Sequence, residues 1–179
     1  MAKQVASVYG DALFELAMEE KKIDSLYEES DLMRTILKDN KDFVAMMTHP
    51  QITQEEKLGA LETIFKGRIS DEIIGLMRMI VEKGHFSEMD SVFAYFSDRV
   101  KEYKNIGVAH VSTPLALSDS EKEKVKKRLL ETTDYESFEM DYEVDESLIG
   151  GMVIRVGDRV VDSSIRTRLY NLKRELSRA

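Results

Sequence analysis

Residues 150–165 read Gly150-Gly151-Met152-Val153-Ile154-Arg155-Val156-Gly157-Asp158-Arg159-Val160-Val161-Asp162-Ser163-Ser164-Ile165, followed by a basic helical stretch to Ala179. Met152, Ile154 and Val156 alternate with Val153 and Arg155, which is the two-residue period of a strand. Gly157-Asp158 stands between two apolar runs, and both residue types tolerate the positive φ of a tight turn. Asp162, Ser163 and Ser164 each carry an oxygen able to accept from the free N–H groups that open a helix. From there Ile165, Leu169, Leu172 and Leu176 recur at three- and four-residue steps, an amphipathic stripe. The stretch predicts a hairpin feeding a terminal helix whose apolar stripe lies back on a sheet. It therefore closes an α+β unit rather than an all-helical one.

Further strands lie upstream. Phe138, Met140, Tyr142 and Val144 alternate with Glu139, Asp141, Glu143 and Asp145, which predicts one buried face and one wet, acidic face. Ser118-Asp119-Ser120-Glu121 is a capping box opening a helix with Val125, Leu129 and Leu130. Before it, Val108, His110 and Thr113 are read as lying opposite Ala109 and Val111, the run ending at Pro114. Asn105-Ile106-Gly107 marks a change of period, and everything before it is helical.

That helical part divides into six. Val5, Val8, Tyr9, Ala12, Leu13, Leu16 and Ala17 define the first helix; Ile23, Leu26, Met33, Ile36 and Leu37 define the second. A short third holds Phe43, Val44, Met46 and Met47 and stops near His49-Pro50, because the residue before proline disfavours helix. Thr53-Gln54-Glu55-Glu56 caps a fourth, carrying Leu58, Leu61, Ile64 and Phe65. The fifth starts at Ser70-Asp71 and is closed by Gly84 as its C-terminal cap. The sixth runs from about Glu88 to Tyr103. The expected fold is α+β, mainly α: a six-helix bundle over residues 1–105, then a small α+β domain over 106–179 with a short sheet and a terminal helix.

Composition narrows the function. The 179 residues are 42% hydrophobic, enough for a core, and carry a net charge of −8, which argues against a nucleic-acid partner or attachment to anionic lipid. Cysteine is absent, so disulfides, thiol nucleophiles and thiolate metal sites are excluded. The N-terminus has no signal-peptide pattern and no run of about twenty apolar residues occurs, so a cytoplasmic location is expected, with membrane contact only through partners. His49, His85 and His110 are scattered. Gly150-Gly151 precedes a strand rather than a helix, unlike a phosphate-cradling loop. The row Glu139, Asp141, Glu143, Asp145 suggests a divalent cation, but same-face strand neighbours sit about 6.6 Å apart, so a solvated face is the expectation. Arg166, Arg168, Lys173, Arg174 and Arg178 on the last helix are candidates to pair with that row. No catalytic residue, cofactor site or metal site is assigned.

Two helices have more apolar surface than a bundle needs. The first carries one line through Val5, Tyr9, Ala12 and Leu16 and another through Ala6, Leu13 and Ala17. The fifth is apolar nearly all round: Ile73, Ile74, Leu76, Met77, Met79, Ile80 and Val81. Such helices are either central or covered by a partner, and a groove for a foreign helix is one reading; a fully buried fifth helix is the other. Gly10 costs a helix interior about 1 kcal/mol against Ala and permits close backbone approach.

The residues resemble the delta-subunit family of bacterial F-type ATP synthases, relatives of the mitochondrial oligomycin-sensitivity-conferring protein. Val5 to Ala17 is similar to the family's opening helix, usually Tyr-Ala-x-Ala-Leu-Phe, with Gly10 in place of the usual Ala. Gly150-Gly151, Ile154, Val156, Gly157-Asp158, Val161, Asp162, Ser164 and Leu169 are similar to its C-terminal signature, with Ser163 where a smaller residue is common. Leu76 through Gly84 fits the family's fifth helix. The resemblance implies a non-catalytic stator component at the cytoplasmic face of the bacterial plasma membrane, linking catalytic head to peripheral stalk so that rotation is coupled to ATP synthesis and proton transport. By position, it implies that Val5, Tyr9, Ala12, Leu16, Leu76, Met79 and Ile80 contact the N-terminal helix of the alpha subunit. It implies that the second domain engages the b subunit, for which Val153, Val156, Ile165 and Leu169 are candidates. On the residues alone, a cytoplasmic helix-binding adaptor and a carboxylate-dependent metalloenzyme remain as alternatives.

Overall fold

The computed structural model describes residues 2–177; Arg178, named above with the basic helix, lies outside them. The chain is mainly helical with one four-stranded sheet and divides into two compact units, Met1–Val100 and Lys101–Ala179.

The first unit is built from α1 (Ala2–Glu19), α2 (Ile23–Asp39), α3 (Lys41–Thr48), α4 (Gln54–Phe65), α5 (Asp71–Glu82), a 3-10 turn at Phe86–Glu88 and α6 (Met89–Tyr103), which runs into the second unit. Local signals set the ends. The Thr53 hydroxyl accepts from the Glu56 N–H at 3.3 Å while the Glu56 carboxylate accepts from the Thr53 N–H at 2.9 Å. At the end of α5, Gly84 takes φ +74. The Gly84 and His85 N–H groups then donate to the Val81 and Ile80 carbonyls, each at 2.9 Å, the double closure of a Schellman motif. Ser70 precedes α5 but makes no cap bond of its own; its N–H donates to the Glu29 carboxylate of α2 at 3.0 Å.

Phe93 and Phe96 of α6, Leu26 and Met33 of α2, and Met77 and Ile80 of α5 are fully enclosed, forming the centre of one continuous apolar cluster. Gly10 has a steric reason. A Cβ there would lie 2.5 Å from Cδ1 of Tyr95, so the missing methyl lets α6 pack directly on the α1 backbone.

An ionic clamp ties the end of α1 to the start of α5. Lys22 bridges Glu20 at 2.7 Å and also Glu72. The Lys22 ammonium, followed by the Glu72 backbone N–H, holds the Glu72 carboxyl down to about 2, and the two carboxylates push Lys22 well above the usual lysine range. A carboxyl depressed on folding adds stability above its unfolded value near about 4.3 and loses it as pH falls through the folded value. Lys22→Met is therefore expected to move the Glu72 titration, followed by carboxyl NMR, from about 2 up toward about 4.3. Acid unfolding of the first unit should begin at higher pH. An unmoved titration would mean that the lysine does not set this carboxylate.

In the second unit, β1 (Ile106–Thr113), α7 (Asp119–Thr132), β2 (Ser137–Val144), a 3-10 turn at Glu146–Leu148, β3 (Val153–Val156), β4 (Arg159–Asp162) and α8 (Ile165–Leu176) follow in order. The sheet order is β2-β1-β3-β4, with β1 parallel to β2 and antiparallel to β3, and β3 antiparallel to β4. A parallel neighbour requires a crossover, which α7 supplies after its Ser118–Glu121 capping box. The 157–158 turn takes positive φ at Gly157 and not at Asp158.

Four expectations are corrected. Thr113 sits with Ala109 and Val111 on the buried face of β1, at 4% exposure; its odd position puts it there by the strand period. The apolar face of β2 is buried at Phe138 but open by Val144, because the strand runs out past its cover. Ser163 does not cap α8; its hydroxyl donates to the Met152 carbonyl at 2.9 Å. Lastly, the stripe of α8 does not lie on the sheet. No α8 residue is buried, and Ile165, Leu169, Leu172 and Leu176 are exposed, since α8 packs chiefly on the turn at Glu146–Leu148.

Candidate partner-binding surfaces

α1 shows two kinds of apolar surface. Ala6, Leu13 and Ala17 are buried, with Gly10 in the same line. On one flank Asp11 and Phe14 engage α6: the Tyr95 hydroxyl donates to Asp11 at 3.2 Å, and the Arg99 guanidinium lies 5.5 Å over the Phe14 ring. On the other flank Val5, Tyr9 and Leu16 are half-buried and Ala12 is exposed. Helix geometry puts these four within one arc of the axis, so they form a second, incompletely covered line on a helix that also packs against α5.

α5 divides differently from the expectation. Leu76 and Ile80 are 3% and 0% exposed, so they belong to the core and are withdrawn as contact residues. An all-round apolar helix here reflects a central position, with one exception. Met79 is 48% exposed and projects from the open side between two anchored edges. Glu72 holds one edge through Lys22, and Arg78 holds the other through Glu62 at 3.1 Å. Gly75 is half-buried on this same ridge. Sequence reading passed over Gly75, Lys22 and Glu72; the only signal for the glycine was its place inside a helix.

The second unit has its own open apolar surface. α8 is held at its start by Ser164, whose hydroxyl accepts from the Thr167 N–H at 3.2 Å. Asp162 accepts from the Thr167 hydroxyl at 2.7 Å and the Ser164 N–H at 2.8 Å, and these bonds, the threonine hydroxyl first, hold its carboxyl below the usual range. A rigid start leaves the stripe fixed in direction. Ile165 and Leu169 lie on it together with Leu172 and Leu176, which the candidate set left out. Val153 and Val156 do not share one face: the former pairs in register with Ser112 and the latter with Ala109, on opposite sides of the sheet.

The acidic row does not converge. Glu139 pairs with Lys101 at 2.6 Å and Asp141 with His110 at 3.0 Å, and Arg166 donates to Ser147 at 2.6 Å. A cleft of about 200 Å³ lined by Leu37, Val44, Phe86 and Met89 shares no residue with either open apolar line. Among the described residues no helix is long and apolar enough to cross a membrane.

A family model described as ATP synthase delta (OSCP) subunit matches residues 5–176. A Lachnoclostridium phytofermentans protein named ATP synthase subunit delta is 46% identical over 176 residues, spanning 98% of this chain and 97% of that one. One of the same name from Halalkalibacterium halodurans is 32% identical over 172 residues, spanning 96% and 94%. A chain of the Toxoplasma gondii mitochondrial ATP synthase hexamer shares the fold, with a TM-score of 0.75 at 21% identity over 96% of each chain.

Proposed function

Because this chain belongs to the ATP synthase delta (OSCP) subunit family and so serves as a stator and coupling subunit of ATP synthase, we propose that its first unit receives the N-terminal helix of the alpha subunit and its second unit the b subunit of the peripheral stalk. The observation that carries the first assignment is the division of α1. Ala6, Leu13 and Ala17 satisfy the core, yet Val5, Tyr9, Ala12 and Leu16 continue an apolar line beyond it. Met79 is the exposed apolar residue of α5, a helix that packs against α1, and an open apolar line of this kind is what an amphipathic helix fills. Tyrosine and methionine suit it, one as a rigid anchor and the other as an adaptable filler. The α1–α6 helices act as the bundle that holds this seat in shape. For the second unit, the exposed stripe of Ile165, Leu169, Leu172 and Leu176 on α8 supports the stalk assignment.

The work is mechanical rather than catalytic. Rotary catalysis pushes on the head, and the subunit resists by holding head and stalk together through buried apolar contacts, whose strength appears mainly as slow dissociation. In the bacterial complex the chain lies on the cytoplasmic side of the plasma membrane, attached through its partners.

Calorimetric titration of the full chain with a synthetic alpha-subunit N-terminal peptide tests the first assignment. Saturable one-to-one binding, a gain of helix by circular dichroism and a negative heat-capacity change are expected. Absence of binding at about 100 µM peptide, weaker than roughly −5.5 kcal/mol, would overturn it. The same titration with a C-terminal b-subunit segment addresses α8.

A further inference from the structure

We propose that Gly75 is the point of closest approach for the helix that seats on α5, and that glycine is kept there for the partner's backbone rather than for the fold of this chain. The inference rests on the groove reading above.

The chain has nine glycines, and seven have an internal reason. Gly67, Gly84, Gly151 and Gly157 take left-handed φ between +55 and +78. A Cβ at Gly10, Gly107 or Gly150 would meet Tyr95, Phe138 or Ile165 within 2.5 Å. Gly59 and Gly75 have neither reason: both sit inside helices without positive φ, and a Cβ built on either meets nothing within 4 Å. A helix-interior glycine without such a reason is disfavoured against alanine, because it gives up more backbone freedom on folding.

The two differ in their surroundings. Gly59 is exposed on α4. Gly75 is half-buried yet has free space where its side chain would be, which makes a notch on the α5 surface. Around the helix axis it falls between Met79 and Arg78, on the strip bounded by the Lys22–Glu72 and Arg78–Glu62 ion pairs. A helix crossing this strip meets bare backbone at Gly75 and the flexible Met79 one turn later. Small residues at a crossing let two helix axes come close and bring their backbones into contact. The partner chemistry this selects is an apolar helix face with its own backbone or a small residue at the crossing. A methyl at position 75 fills the notch that the fold leaves open and holds the incoming helix off Met79.

The experiment pairs thermal unfolding with calorimetric titration of the alpha-subunit N-terminal helix peptide, using the full chain and the variants Gly75→Ala and Gly59→Ala. Both substitutions are expected to raise the melting temperature of the first unit by about 4 °C. Gly75→Ala should weaken the peptide at least tenfold, while Gly59→Ala leaves the affinity within twofold. Wild-type affinity in Gly75→Ala would overturn the proposal alone. A lowered melting temperature in that variant would overturn it too, since the glycine would then serve the fold. Equal losses in both variants would remove its specificity for position 75. No binding by the unaltered protein would overturn the groove reading and this proposal with it.

Discussion

Ala12→Asp is expected to weaken binding of the alpha-subunit helix by about 100-fold, close to 2.7 kcal/mol, with the helical circular dichroism of the free protein unchanged. Ala12 is exposed on the open flank of α1, one turn from Tyr9 and Leu16 and away from the buried line of Leu13 and Ala17. In the free chain the new carboxylate points to water and costs only the modest difference in helix propensity, about 0.5 kcal/mol. Under a seated apolar helix the same carboxylate is stripped of water without a partner, which is the expensive case. Tyr9→Ala acts by the opposite route, removing an anchor, and should cost about tenfold or more. Calorimetric titration with the alpha-subunit peptide reads both. Unaltered affinity in the two variants would remove this flank of α1 from the interface, whatever α5 does.

Gly151→Ala is expected to destabilise the second unit by about 3–4 kcal/mol, enough to unfold much of a unit this small, while the first unit keeps its transition. Two costs coincide. Gly151 adopts φ +78, and a Cβ there would lie 2.4 Å from the Ser163 carbonyl oxygen and 3.1 Å from Ser164 Cα. Those atoms are backbone just ahead of α8, so they cannot swing aside without moving the bonds that start the helix. Gly150→Ala is the comparison: its Cβ would meet Ile165 Cδ1 at 2.5 Å, the movable end of an exposed side chain, so the loss should be about 1 kcal/mol or less. Amide exchange measured separately at β1 and at α6 distinguishes the units. Equal stability of the two variants would mean that the loop before β3 relaxes freely.

These expectations rest on different depths of information. The strand of 138–144, the hairpin around Gly157 and the capping boxes at Thr53 and Ser118 were legible because each is set by residues a few positions apart. The apolar stripe of α8 was legible as a stripe, but its fate was not. Amphipathicity states that a face needs cover and does not say whether the cover is the protein's own sheet or another chain. Leu76 and Ile80 show the same limit in reverse: they match the spacing of contact residues, and only their neighbours place them in the core.

The sequence by itself determined the α+β class, the change from helix to strand after Asn105, most helix and strand ends, and membership in the ATP synthase delta (OSCP) family through motifs at both ends. Those follow from local propensity, short hydrogen-bonded caps and residue order. Only the tertiary structure decided which flank of α1 stays open, that α5 spends its apolar surface inward except at Met79, that Gly10 answers to Tyr95, and that α8 presents its leucines outward. Burial is a property of pairs of elements distant in the chain, so no periodicity within one helix can state it.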